Sequence, residues 1–176
     1  SNEALVGTTA LVGFRHVMAR RHTRLFGADG RVVADALVDW VMVDGSGRPT
    51  RFPREFEPFV ASVAATFAPI KVAQAVASSS SSSSSSSTYD VAVRHADVDP
   101  LGHVNNAAWL EIVDEAVARA APAHLAARRR RIQLEYLAVA RGGSARVALT
   151  PAGAAQVIAV ADPSETPLLR GRSEAG

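Results

Sequence analysis

Along this chain, apolar and polar positions follow a two-residue period through most of its length and switch to a helical period in one clear place. Residues 4–26, ALVGTTALVGFRHVMARRHTRLF, mix β-branched residues with alternation. Phe14, His16 and Met18 share one parity; Arg15, Val17 and Ala19 share the other. Gly7 and Gly13 punctuate the run and favour a strand over a helix. GADG at 27–30 is a turn, and RVVADALVDWVMVD at 31–44 predicts a second strand. Its alternation is not clean, because Val33, Leu37 and Val41 cannot share a face with Val32 and Val38. That pattern suits a buried or bulged strand better than an exposed one. GSGRP at 45–49 turns the chain again, so the first stretch is a hairpin or part of a meander.

Residues 51–69 are broken into short pieces by Pro53, Pro58 and Pro69, and 70–77 suits a short helix or a strand. Ten consecutive serines, Ser78 to Ser87, have no apolar face to bury and predict a flexible linker. Beyond them TYDVAVRHADV, 88–98, alternates as a strand. DPLG at 99–102 turns the chain. A helix follows from about Asn106 to Arg119, with Trp109, Ile112, Val113, Ala116 and Ala120 on one face. Glu111, Asp114, Glu115 and Arg119 lie largely opposite, and Pro122 is a stop signal. Strands are expected at about 131–140, 144–150 and 156–161, with a short one at 167–171. Strand, helix, then several strands gives an α+β fold with an antiparallel sheet. The alanine-rich helix is thin enough to be enclosed by a strongly curved sheet.

Composition narrows the function classes. The chain has 176 residues, no cysteine, and 19 basic against 17 acidic side chains, a formal charge of +2. Thiol nucleophiles, disulfides and thiolate metal sites are excluded. The small charge excess gives little support for nucleic-acid binding. No apolar run approaches the ~18 residues of a membrane-spanning helix. A cytoplasmic protein is the expectation.

The densest chemistry lies in DVDPLGHVNNAAWLEIVDEAV, 97–117. Asp99 sits in the turn after a strand, and His103 four residues later precedes the helix. A carboxylate there can activate water, and an imidazole can donate to an acyl oxygen or hold the carboxylate. The unpaired N–H groups of a first helical turn can support a developing oxyanion. Such a set hydrolyses an activated acyl group without serine, cysteine, metal or cofactor. The plainer readings stand beside it. Asn105 or Asn106 is a standard helix cap, Asp99-Pro100 is ordinary turn chemistry, and Trp109 suits a core or a pocket wall. Asp97, Asp99 and His103 could ligate a metal, but their spacing matches no specific metal signature. No phosphate-loop, dinucleotide or nucleophile-elbow motif is present. Arg128, Arg129, Arg130 and Arg131 form a run that is either a solvated loop or a phosphate grip.

VRHADVDPLGHVNNAAWLEIVDEA, 93–116, resembles the opening strand and central helix of hotdog-fold acyl thioesterases. The closer resemblance is to the acyl-acyl-carrier-protein thioesterases, whose chains hold two hotdog units. Residues 20–56 resemble the last strands of a first unit and the start of the connection, and RIQLEYLAVARGG, 131–143, resembles the strand after the helix. The resemblance implies a hotdog fold, an antiparallel sheet around a central helix, in a double hotdog with an incomplete first unit. Residues 1–56 would be the partial first unit, 57–87 the connection, and 88–176 the second unit. It implies hydrolysis of acyl-acyl carrier protein or acyl-coenzyme A to fatty acid and thiol, as in fatty acid biosynthesis. The partner is acyl carrier protein or coenzyme A, and hotdog units pair within a chain or as a homodimer. Asp99 matches the acid often assigned to catalysis and His103 the histidine before the asparagine pair. Asn105 and Asn106 match that pair, while Glu135 and Tyr136 look structural. Three positions depart from the family: Leu101 stands for an asparagine, and Val139 and Ala140 stand near a glutamate and a cysteine. These departures keep two alternatives open, a non-catalytic acyl-binding hotdog and a hotdog 3-hydroxyacyl dehydratase.

Overall fold

The structure, a computed structural model, describes residues 4–63, 67–72, 86–127 and 129–176, with the side chain of Leu125 also set aside. Ser78 to Ser85 of the predicted linker, residues 73–77 of the expected short element, and Arg128 lie outside the described residues. The chain divides into two compact units, 1–70 and 71–176.

In the first unit, β1 (Val6–Arg15), β2 (Met18–Phe26) and β3 (Val32–Val41) form an antiparallel meander in that order. The one strand expected over 4–26 is therefore two. A two-residue turn at His16-Val17 folds the chain back, so that Arg15 pairs with Met18 and Phe14 with Ala19. Paired residues share a face, so Phe14 lies with Ala19 and not with Met18; the turn shifts the parity one continuous strand would keep, and His16-Val17 holds no glycine, asparagine or aspartate to signal it. His16 takes the left-handed backbone region, φ 50°, where histidine is several-fold enriched among non-glycine residues. A bulge between Leu11 and Gly13 adjusts the register. The prediction that 31–44 is buried is also corrected. β3 is an edge strand, and Val33, Leu37 and Trp40 are all about half exposed. Its irregularity is confined to its start, opposite Phe26.

Residues 67–70 lie on this sheet. Arg20 donates to both carboxylate oxygens of Asp39 at 2.6 and 2.7 Å and to the Ala68 carbonyl at 3.0 Å, and its guanidinium stands 4.1 Å over the Phe67 ring. The Ile70 N–H donates to Asp39 at 3.1 Å. Burial alone would raise the Asp39 carboxyl; the bonds from Arg20 and Ile70 outweigh it and hold the group below its usual range. The short helix α1 (Glu57–Ser62) carries Pro58 in its first turn, where a missing N–H costs nothing.

The second unit holds a five-stranded antiparallel sheet ordered β4-β6-β7-β8-β5. Its strands are β4 (Ser87–Val93), β5 (Arg130–Tyr136), β6 (Gly143–Ala152), β7 (Ala155–Ala161) and β8 (Pro167–Ala175). Helix α2 (Asn106–Ala120) packs on β6 and β4. Val113, Ala116 and Val117 of the helix share one core cluster with Val147, Leu149, Ile158, Val160 and Leu169 of the sheet. Gly171 serves the same close packing: a Cβ there would stand 2.6 Å from both the Gln133 carbonyl oxygen and a Leu134 methyl. Pro122 ends α2, as expected, and also opens a one-turn helix α3 (Pro122–Leu125). His124 from α3 is buried with its Nε2 2.8 Å from the Ser173 hydroxyl.

Three boundaries differ from the sequence reading. β4 stops at Val93 because His95–Asp97 winds into a 3-10 turn. β5 stops at Tyr136, since the Leu137 and Ala138 N–H groups both turn to the Leu168 carbonyl. β8 runs four residues past the expected 171 and pairs on both sides.

Candidate active site

The segment between β4 and α2 is closed like a small hairpin. Asn105 N–H donates to the Asp97 carbonyl at 2.8 Å, Val98 and Val104 form a β-bridge, and Asp99 N–H donates to the His103 carbonyl at 2.7 Å. The tip is a turn in which Gly102 N–H donates to the Asp99 carbonyl, and Gly102 itself has φ 76°. A glycine meets that left-handed requirement without strain. Asp99 Oδ1 accepts the Leu101 N–H at 2.9 Å and the His103 N–H at 3.1 Å. One oxygen therefore fixes the tip, while Oδ2 has no hydrogen-bond partner among the described residues. The turn reading of Asp99 and the chemical reading are compatible, because they use different oxygens.

Asn105 caps α2, its side-chain oxygen accepting the Ala107 N–H at 2.8 Å. The first intrahelical bond is Trp109 N–H to the Asn105 carbonyl, 3.1 Å. The Asn106 and Ala108 N–H groups are left without intrahelical acceptors. No acidic side chain stands in the first turn, so the positive end of the helix is not offset by its own residues. Asn106 is exposed, and its carbonyl accepts the Tyr136 hydroxyl at 3.1 Å. Partial burial raises the Tyr136 phenol above its ordinary value, and as a neutral phenol it donates this bond. Tyr136, expected to be merely structural, thus ties β5 to the start of the helix. Glu135 beside it pairs with Arg170 at 2.7 Å.

Trp109 is 3% exposed. With Val93, Ala145 and Leu168 it lines an open pocket of about 480 Å³, whose rim includes Ala140 and Arg141. The 137–142 loop abuts the hairpin: Val104 N–H donates to the Ala140 carbonyl at 2.8 Å, and a Cβ on Gly142 would lie 3.9 Å from a Val98 methyl. Val139 and Ala140 therefore stand next to the hairpin but bring no ionisable group. Leu101 is at the tip, 75% exposed.

The structure does not bring the arginine run together as a unit. Arg130 and Arg131 begin β5 and are not in a loop. Arg130 is ion-paired with Asp114 of α2, while Arg129 and Arg131 are exposed. Asp114 is eight residues along the helix from Asn106, roughly 12 Å at 1.5 Å per residue. Among the described residues no group of three potential metal ligands comes together. Asp97 is engaged instead by Arg94, whose side-chain hydrogen bond holds the Asp97 carboxyl below its usual range. The Arg94-x-x-Asp97 spacing was the signal in the sequence for that pair.

Residues 80–157 match the family model of the Acyl-ACP thioesterase C-terminal domain. Among solved structures, the 12:0-ACP thioesterase from Umbellularia californica matches with a TM-score of 0.70 at 20% identity, over 98% of this chain and 67% of that one. An acyl-ACP thioesterase from Bacteroides thetaiotaomicron matches with a TM-score of 0.66 at 16% identity, over 98% and 68%. At such identities the structural matches establish the shared hotdog fold. No curated protein matches in sequence. The fold is the hotdog fold, and residues 80–157 within it are similar to the thioesterase C-terminal domain. That similarity includes the stretch 93–116, whose residues resemble those of the acyl-acyl-carrier-protein thioesterases.

Proposed function

We propose that this protein is an acyl thioester hydrolase acting on fatty acyl chains carried on acyl carrier protein, with Asp99 and His103 as its catalytic residues. The observation that carries the reading is the hairpin at 98–104. It carries Asp99 and His103 in the turn that leads into α2, and it abuts the 137–142 loop, whose Val139 and Ala140 line the pocket together with Trp109. Water activated by the free Asp99 oxygen attacks the thioester carbonyl. The Asn106 and Ala108 N–H groups, with His103, support the oxyanion. Collapse expels the carrier thiolate, which takes up the proton removed from water. Asn105 and Asn106 shape the helix start, and the acyl chain lies against Trp109. Arg129 and Arg131 are the exposed cations offered to the carrier's phosphate; Arg130 is engaged by Asp114. The site needs no metal or cofactor. Residues 1–56 are read as part of a first hotdog unit joined by 57–87 to the second, 88–176, with pairing inside the chain or in a homodimer. The setting is cytoplasmic fatty acid release.

The test is thiol release from a panel of acyl-acyl carrier proteins and the matching acyl-coenzyme A esters. Faster turnover of the carrier-protein esters is the expected result. Preference for coenzyme A overturns the substrate assignment. Tight binding of every ester without turnover favours the non-catalytic alternative, which the apolar Leu101, Val139 and Ala140 would explain.

A further inference from the structure

We infer that Arg94 and Asp97 are positioning residues, a clamp that sets the Asp99 and His103 hairpin against the start of α2. The inference rests on the thioesterase reading above and adds to it two residues outside the reacting set. Asp97 is 3% exposed although it lies only two residues from the candidate catalytic acid. Both of its carboxylate oxygens are used. They accept the Arg94 backbone N–H at 2.7 Å, Arg94 Nε at 3.0 and 3.1 Å, and Arg94 Nη2 at 2.6 Å. Asp97 therefore has no lone pair free for substrate, which separates it from Asp99.

Its carbonyl does the connecting. It accepts the N–H of Asn105, the residue that caps α2. Between these two anchors the chain closes in ordered rungs: Asp97 to Asn105, Val98 to Val104, Asp99 to His103. The lowest rung is the one Arg94 holds. Arg94 Nη2 also lies 3.6 Å from Glu111 Oε2 of α2, so one guanidinium spans the 3-10 turn and α2. A planar fork with charge-assisted bonds supplies geometry as well as attraction. A slip at this rung changes the angle between the Asp99 carboxylate and the helix N–H groups, and misplacement of about 1 Å can cost a catalytic site about 100-fold.

The experiment compares the wild type with Asp97→Asn and Arg94→Ala. It measures kcat and KM for one acyl thioester, together with amide exchange of the Asn105 N–H. Both variants are expected to lose about 10- to 100-fold in kcat with KM within about twofold, and to lose protection at Asn105. The Arg94 side chain is 68% exposed, so guanidinium added in solution is expected to restore part of kcat in Arg94→Ala. That variant keeps the test available if Asp97→Asn does not fold. Unchanged kcat, unchanged Asn105 protection, or a loss confined to KM overturns the clamp while leaving the hydrolase in place. A wild-type protein that releases no thiol overturns the thioesterase reading itself, and the positioning role with it.

Discussion

Replacing Gly171 by alanine reverses the usual sign of a glycine-to-alanine change. In a strand with open space the change favours folding by about 0.4–1 kcal/mol, because alanine has fewer unfolded states to lose. Gly171 does not have left-handed φ, so the backbone would accept alanine. Space decides against it. The new methyl would stand 2.6 Å from the Gln133 carbonyl oxygen and 2.6 Å from Leu134 Cδ2, with Ile158 Cδ1 at 3.5 Å. Leu134 can rotate, but the Gln133 carbonyl belongs to β5, which pairs with β8 at this point. The pair must spread or the strand must shift. Such overpacking costs about 1–3 kcal/mol. At ~2–4 °C per kcal/mol for a chain of this size, a cost of about 2 kcal/mol lowers Tm by roughly 4–8 °C. Thermal unfolding followed by circular dichroism reads this directly. An unchanged or raised Tm would refute the packing argument for the β5–β8 pair.

Further outcomes follow from single contacts. Asn105→Ala removes the cap of α2 and should cost about 1 kcal/mol in urea unfolding; Asn105→Asp, which keeps the acceptor, should restore most of it. Asp39→Asn addresses pH. The folded Asp39 carboxyl is held below its unfolded value, so its contribution is present above the unfolded pKa of about 3.9 and is lost as pH falls through the lower folded value. The variant should therefore flatten the acid limb of a stability profile taken from pH 5 to 2, and an unaltered limb would remove the Arg20–Asp39 pair from acid unfolding.

The helix and its cap were legible from the sequence because they rest on local signals: the 3.6-residue spacing of Trp109, Val113 and Ala116, an asparagine at the cap, and Pro122 at the exit. The turn at 99–102 was legible for the same reason. The fold of 4–26 into β1 and β2 was not, because His16-Val17 holds none of the residues that usually mark a two-residue turn. The exposure of β3 was not, because an edge position is a property of the sheet and not of the strand's own residues. The overrun of β5 to residue 140 had a similar cause: LAVA has strand composition, but the Leu137 and Ala138 amides turn to Leu168 instead. At the site, Asp99, His103 and Asn105 could be named from their motif. Arg94 went unnamed although its spacing to Asp97 was a local signal, whereas the contacts of Tyr136 and the closeness of the 137–142 loop arise only through pairings of the folded chain. That Arg130 faces Asp114 was not legible either, because charge density along a run does not report pairings of the folded chain.

Single-turnover thiol release by Asp99→Asn against wild type tests the central claim most directly. Asparagine keeps an oxygen for the Leu101 and Val104-adjacent His103 N–H groups, so the hairpin should persist while the charge that activates water is lost. The account predicts a fall of about 100- to 10,000-fold in the rate of the chemical step, with the fold unchanged by circular dichroism. Equal rates in the two proteins would contradict it and remove Asp99 from the chemistry.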